Sequence, residues 1–299
     1  MLPVVWVLLA AALFGTTGTA QALGPESTTP VGVGAARLVV GGSGLLLLLP
    51  ILGHRVTAAL RLWRTGAGLL AGGCTAAYQL CFFAAVAEAG VAVGTLVTIG
   101  SGPVFAGLLS WLVLRERPSA SWIAATGLCA AGLALLSLDG LAGAGASAKG
   151  VLLALASGLG YAVYTVLSRS LIRGGAASEV VMAAAFGLGG LVLLPVLAFQ
   201  PLAWLAEPGG WALAAYLGLG TTTLAYVLFG RGLAVLPAGP VTTLVLAEPL
   251  VATALGVTLL DERLPATGVA GAVLILVGLV LQGVVASRRP REPVPPLPG

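Results

Sequence analysis

Charge is scarce in this sequence. Asp, Glu, Lys and Arg make up 8% of its 299 residues, about a third of the usual share. With 59% hydrophobic residues beside them, that excludes an ordinary water-soluble domain. The only histidine, His54, lies in a basic connecting stretch. This removes His-containing metal clusters and leaves no imidazole to activate a serine inside an apolar segment. Cys74, Cys81 and Cys129 all fall in apolar runs. Cys74 and Cys81 are about 10 Å apart along one helix, beyond disulfide reach, so the three read as small buried hydrophobes. No G-x-x-x-x-G-K-S/T loop, CxxC or metal-spaced acidic pair occurs, and the GLG and GLGG runs lack the strand–helix context of a nucleotide fold. No cofactor site, metal site, recognisable catalytic set or built-in ATPase is expected.

What the chain has instead is apolar runs of about 20 residues, the length a bilayer demands, and a mean hydropathy of +1.08. It reads as an all-α polytopic membrane protein. Ten spans can be marked: Pro3–Leu23, Val31–Pro50, Thr65–Ala87, Val91–Leu114, Ser119–Leu138, Gly150–Ser170, Ala176–Ala198, Gly210–Gly230, Ala238–Leu260 and Ala266–Ala286. The breaks at Ala87–Val91 and Gly230–Pro237 are the least polar, and the stretch from His54 to Arg64 reads as a basic loop. Met1–Ala20 has no basic leader region, so it reads as a retained first helix. With a cytoplasmic N-terminus, eleven arginines fall in inside segments against Lys149 and Arg263 outside. This bias places both termini in the cytoplasm. The net charge of +4 is therefore a topology signal and not a nucleic-acid footprint. The Pro-rich stretch 287–299 reads as a disordered cytoplasmic tail.

An internal repeat is visible. Pro103 is followed thirteen residues later by Glu116, and Pro249 thirteen later by Glu262, the two pairs offset by 146 residues. VLLAAALFG from Val7 echoes VLLALASGLG from Val151 at nearly the same offset. Each half, 1–145 and 146–286, holds five spans. An odd number inverts the second copy in the membrane, as in many secondary transporters. Forty-four glycines, about twice the usual share, include pairs such as Gly68/Gly72 and Gly90/Gly94 that suit close helix packing.

Against this background, Glu248 stands out. It lies roughly 15 Å into its span, near the middle of a core about 30 Å thick, where a carboxyl is costly and by default a functional candidate. The alternative is a neutral Glu hydrogen-bonded to a neighbouring helix. Pro249 beside it lacks an N–H and can loosen the preceding turn; with Pro103 it is a gating or helix-break candidate. Arg37 lies roughly 9 Å into the second span; it either snorkels outward or faces a polar cavity and meets an anion, and pairing with Glu248 is geometrically open. Polar and aromatic residues inside spans form a second tier: Thr16, Thr17, Gln21, Tyr78, Gln79, Thr98, Ser101, Tyr161, Tyr164, Ser168, Thr222, Thr223, Tyr226, Thr242 and Thr243. Of these, Tyr78 with Gln79 and Tyr226 with Thr222 and Thr223 are the stronger candidates. Trp6, Trp63, Trp204 and Trp211 read as interfacial anchors.

Pro103 with Arg115-Glu116-Arg117 closing the fourth span, and Glu248-Pro249 with Asp261-Glu262-Arg263 closing the ninth, resemble the EamA-type permeases of the drug/metabolite transporter superfamily. The resemblance runs from Pro3 to Ala286, and Arg37 fits it. Gly102-Pro103 departs from it, since such halves often carry Glu-Pro. The resemblance implies ten transmembrane helices in two inverted five-helix repeats and a bacterial inner-membrane permease. Its cavity would be lined mainly by the third, fourth, eighth and ninth spans, with the first and sixth contributing. That favours Tyr78, Gln79, Thr98, Ser101, Tyr226, Thr242 and Glu248 as site residues. The expected function is a secondary transporter, most simply an exporter of a small metabolite such as an amino acid or amphipathic compound. Its partners are that solute, the lipid bilayer and protons as the candidate coupling ion. The alternatives are a lipid or lipid-carrier flippase and a non-transporting scaffold or sensor.

Overall fold

A computed structural model describes residues 1–138, 147–260 and 263–288. Every element in them is helical: α1 (Leu2–Ala22), α2 (Pro30–Ile51), α3 (Val56–Leu62), α4 (Gly66–Leu114), α5 (Ala120–Leu136), α6 (Ala148–Arg173), α7 (Ser178–Ala198), α8 (Pro208–Val235), α9 (Ala238–Leu259) and α10 (Ala266–Arg288). Eight of these are long and apolar enough to cross a membrane, and α5 is a shorter apolar helix. The chain is an all-α polytopic membrane protein. Most boundaries fall within a few residues of those read from sequence. Asp139, Asp261, Glu262 and most of the 287–299 tail lie outside the described residues, although α10 itself extends to Arg288.

The helices begin where a hydroxyl can receive an orphan backbone N–H. Thr29, Thr65, Ser119 and Ser147 accept from the amides of Gly32, Gly68, Trp122 and Gly150 at 3.0–3.2 Å. Each such cap stabilises a helix start by about 1 kcal/mol. In a bilayer the gain matters more, because no water is present to take the place of a missing partner.

Helix α4 has 49 residues, about 73 Å if straight and far longer than a bilayer core. It breaks at Gly90, whose φ of 80° and ψ of 162° lie in a region essentially reserved for glycine. Gly90 therefore serves the chain break and not the small-residue packing face suggested by its spacing from Gly94. Pro103, by contrast, sits in α4 without leaving helical backbone geometry, since Gly90 is the one non-helical residue within α4.

Helix α6 packs along α4, α2 against α7, α5 against α10, and α1 against α8 and α9. Close approach of α1 to α9 depends on Gly15. A Cβ there would lie 2.6 Å from the Glu248 carbonyl oxygen and 2.7 Å from Val251 Cβ.

Four sequence expectations are corrected. The basic stretch after α2 is not all loop, because Val56–Leu62 forms α3, which packs against α7. Helix α8 continues through Arg231 to Val235, since Arg231 finds Glu179 on α7 at 2.9 Å. Trp204 is no interfacial anchor: it is fully buried in a small core with Val33, Ala36 and Leu217. Trp63 also turns inward, donating its indole N–H to the Ala184 carbonyl at 2.8 Å. Trp211 remains 60% exposed.

The break at Gly90 yields a paired prediction. No heavy atom lies within 4 Å of the Cβ that alanine would add at Gly90 or at Gly73, so only backbone geometry separates the two. G90A should destabilise by about 1–3 kcal/mol, whereas G73A should be neutral or stabilising by up to ~1 kcal/mol. Thermal unfolding of the detergent-solubilised variants checks both signs.

Candidate functional site

Seven helices bring polar and aromatic groups to one place inside the bundle. Arg37 comes from α2, Tyr78 from α4, Tyr161 and Tyr164 from α6, Thr222 and Tyr226 from α8, and Glu248 from α9. Phe14 of α1 and Phe186 of α7 pack on the Tyr226 ring at 5.0 and 3.7 Å between centroids. Tyr78 stacks on Tyr164 at 5.7 Å and meets Tyr161 edge-on at 6.2 Å. The Tyr226 hydroxyl faces those of Tyr78 and Tyr164. The Tyr161 and Tyr164 hydroxyls are buried with no partner in hydrogen-bonding geometry.

Backbone irregularities aim two of these groups. In α9 the residue that would donate to the Val245 carbonyl is Pro249, which has no N–H. The Glu248 amide takes that carbonyl instead, and Val245–Ala247 tightens into a 3-10 turn directly before Glu248. In α8 the segment Tyr216–Leu224 is a π-helix, a rare conformation that often marks functional positions. Thr222 and Thr223 return their hydroxyls to the carbonyls of Leu217 and Gly218. The Thr222 oxygen then receives the Arg37 Nε–H at 3.1 Å.

Arg37 and Glu248 form no direct ion pair within 4.0 Å, yet the arginine charge acts on the carboxyl and on Tyr78 and Tyr226. The carboxylate field in turn reaches Tyr78 and Tyr161. One cation and one carboxyl thus face a shared aromatic space without neutralising each other by contact.

The remaining sequence candidates stand apart from this cluster. Thr98 donates to the Ala154 carbonyl at 3.2 Å and Ser101 to the Thr98 carbonyl at 3.3 Å, which spends both hydroxyls on helix packing. Thr242 bonds back to Ala238 and Gly239 within its own helix. Buried Gln79 reaches the Gly34 carbonyl only at 3.5 Å. Gly102, 146 residues before Glu248, lies against Tyr161: a Cβ there would come within 3.1 Å of the ring. The tyrosine ring occupies the space that a second carboxyl would need. Tyr161 and Tyr164 belong to the wider second tier read from sequence without being preferred there, and Phe186 has no sequence signal, since an aromatic residue in an apolar run is ordinarily core.

A second polar network closes the end of the bundle that carries Met1. Arg169 of α6 is buried and donates through Nη1 to the carbonyls of Leu233 and Ala234 at 2.8 and 2.9 Å. Its Nε lies 3.3 Å from Glu116, which also accepts from Ser110 and faces Arg173 at 3.6 Å. Arg115, at φ 57°, turns the chain back so that Glu116 reaches this position. The sequence shows Arg169 only as one more topology charge. At the opposite end, Glu88 pairs with Lys149 on the surface.

Taken together, the bundle and its internal charges define a membrane transporter for small molecules, not an enzyme. Among the described residues no group of His, Cys, Asp and Glu could hold a metal. The profile of the EamA-like transporter family matches residues 1–138 and 148–283, and the chain belongs to that family. It is 41% identical over 287 residues to the uncharacterized transporter YwfM of Bacillus subtilis (strain 168), covering 96% of this chain and 94% of the relative. An uncharacterized transporter of Archaeoglobus fulgidus is 30% identical over 132 residues, 44% of this chain and 47% of the relative. A solved crystal structure superposes with a TM-score of 0.81 at 22% identity, covering 96% of this chain and 98% of its own, and has the same fold.

Removing one partner of a buried ion pair typically costs about 3–5 kcal/mol. R169M should therefore lower the thermal unfolding midpoint, by taking from Glu116 its buried cation, with Ser110 and the half-exposed Arg173 left as its partners, and from two carbonyls their donor. The E116L/R169M double variant should be less destabilised than the sum of the single changes, which a double-mutant cycle reads directly.

Proposed function

We propose that this protein is a secondary carrier that exports a small zwitterionic or amphipathic metabolite, such as an amino acid, by alternating access. The observation that carries the reading is the unpaired Arg37 and Glu248 facing one tyrosine-lined space deep in the bundle. A solute carboxylate matches the guanidinium, which binds carboxylates in a planar, bidentate fashion. A solute ammonium matches the carboxyl and the faces of the tyrosine rings. Protonation of Glu248 is the proposed coupling step: it removes the negative charge that holds the ammonium and so links release to proton uptake.

The proposed architecture is ten spans in two inverted five-helix repeats, 1–145 and 146–286, with both termini cytoplasmic. Three observations support it. The family matches fall on either side of the expected boundary. Gly90 divides α4 into two span-length parts. The packing is also reciprocal: α6 lies on α4 as α1 lies on α8 and α9, while α2–α7 and α5–α10 pair across the halves. Tyr78 and Tyr226, 148 residues apart, then occupy nearly equivalent positions. On this reading the Glu116–Arg169 network is the closed cytoplasmic gate, joining the two halves through one buried pair.

The flippase alternative needs a groove open to the bilayer. One exists between α1, α9 and α10, but its walls are wholly apolar, from Val4 and Leu8 to Leu250 and Val280. They offer nothing to carry a headgroup across the midplane, so the carrier reading is preferred.

The test is counterflow and pH-gradient-driven accumulation of a pool of amino acids and small amphipathic metabolites in proteoliposomes. Wild type should accumulate one solute class only under a gradient. E248Q should lose that dependence, and R37Q should weaken solute binding. A transport rate independent of pH together with full activity of E248Q would overturn the coupling assignment. Silence across the pool by intact protein would overturn the solute class.

A further inference from the structure

Two cavities lie away from the Arg37–Glu248 cluster and meet each other. The larger, about 630 Å³, opens at the end of the bundle that carries Met1. Its walls include four arginines, Arg115, Arg117, Arg169 and Arg173, against one carboxylate, Glu116. Arg169 and Arg173 already engage that carboxylate. Arg115 and Arg117 are exposed, and neither forms an ion pair with any described residue. Among the described residues, the cavity therefore carries cationic charge beyond what neighbouring carboxylates neutralise.

The second cavity is the apolar groove of about 480 Å³ between α1, α9 and α10. Met1 and Val4 line both cavities, so the cationic space and the groove adjoin at the start of α1. Along α10 the groove runs from Val284 to Leu276, about 12 Å of helix and most of the depth of one leaflet. Its rim is open to the bilayer: Leu276 is 56% exposed and Val280 58%. Gly283 leaves a gap in its wall, for a Cβ there would find only Val4 Cγ1, at 3.7 Å.

A cationic cavity beside an apolar groove at membrane depth has the polarity of one kind of molecule. We infer that these two cavities together bind an anionic phospholipid, with its phosphate at Arg115 and Arg117 and an acyl chain along the groove of α1, α9 and α10. Basic pockets between transmembrane helices recognise lipid headgroups through this chemistry. A soluble phosphate would use the arginines alone and leave the groove without a role. The site shares no residue with the Arg37–Glu248 cluster, although Glu116 and Arg169 of the proposed gate stand in the wall of its cationic cavity.

The experiment is native mass spectrometry of the full-length protein released from vesicles of equimolar phosphatidylglycerol and phosphatidylcholine. Wild type should retain phosphatidylglycerol in preference to phosphatidylcholine by on the order of tenfold. R115Q/R117Q should abolish the preference, and R115K/R117K, which keeps the charge, should retain most of it. G283L fills the groove without altering charge and should reduce lipid retention several-fold. Added inorganic phosphate should not displace the lipid. Equal retention of the two lipids by wild type would overturn the inference. So would displacement by phosphate combined with an unaffected G283L, which would reassign the arginines to a soluble anion.

Discussion

A bilayer interior offers no water to satisfy a backbone or side-chain polar group, and most of the unusual features of this structure answer to that constraint. Four helix starts, those of α2, α4, α5 and α6, are capped by a Ser or Thr hydroxyl. Mid-helix threonines such as Thr75 and Thr242 return their hydroxyls to carbonyls one turn back. Where Pro249 deprives a carbonyl of its donor, the helix tightens so that the neighbouring amide serves it. Buried Arg169 is satisfied by a carboxylate and two helix-terminal carbonyls. Among the described residues a few buried polar atoms find no partner, those of Thr17, Ser168, Trp204 and Gln282 among them. The Tyr161 and Tyr164 hydroxyls differ from these in belonging to the aromatic cluster beside Arg37 and Glu248.

On the proposed two-repeat reading, the halves share a plan and differ where charge is concerned. Tyr78 and Tyr226, 148 residues apart, lie two residues off the repeat offset of 146. Each is packed by an aromatic residue from the helix that lies against it, Tyr161 for the first and Phe14 for the second. The position matching Glu248 is Gly102, and its volume is taken by the Tyr161 ring. A second carboxyl there would bring two like charges into one low-dielectric space, at high cost. One carboxyl and one guanidinium from different helices supply opposite charges without that cost.

Much of the fold was legible because the bilayer makes span length a strong signal. The starts of α2, α5 and α10 were readable to within a residue, and the break in α4 lies inside the short stretch marked by Glu88 alone. Other features were not legible, for identifiable reasons. Helix α3 has too few residues for a periodic signal, and its arginines suggested a loop. Arg169 lies one turn from a helix end, where an arginine ordinarily snorkels to water. Only tertiary packing turns it inward. The π-helical stretch of α8 depends on hydroxyls meeting particular carbonyls, which no composition encodes. Trp204 carried the usual mark of an interfacial anchor, but the chain after α7 folds back and buries it. Of the site, Glu248 and Arg37 were legible from the cost of charge at depth. Tyr161 and Tyr164 were visible only as members of a long list of in-span polar residues, and Phe186 was not visible at all, because apolar runs contain aromatic residues for packing alone.

The distribution of charge also separates what must stay still from what can move. Glu116 and Arg169 are in contact and buried, so separating them exposes two charges and two carbonyls at once. Such a contact has two discrete states, closed or hydrated, and suits a gate. Arg37 and Glu248 are not in contact, so a solute or proton entering between them changes the local balance without first breaking a strong pair. On the proposed reading, a molecule binding at the second pair supplies a differential energy that the first pair can be opened against. A ligand can shift a conformational equilibrium only by such a difference. The placement of an intact pair at one end and a divided pair in the middle is what gives this bundle a physical basis for coupling the two.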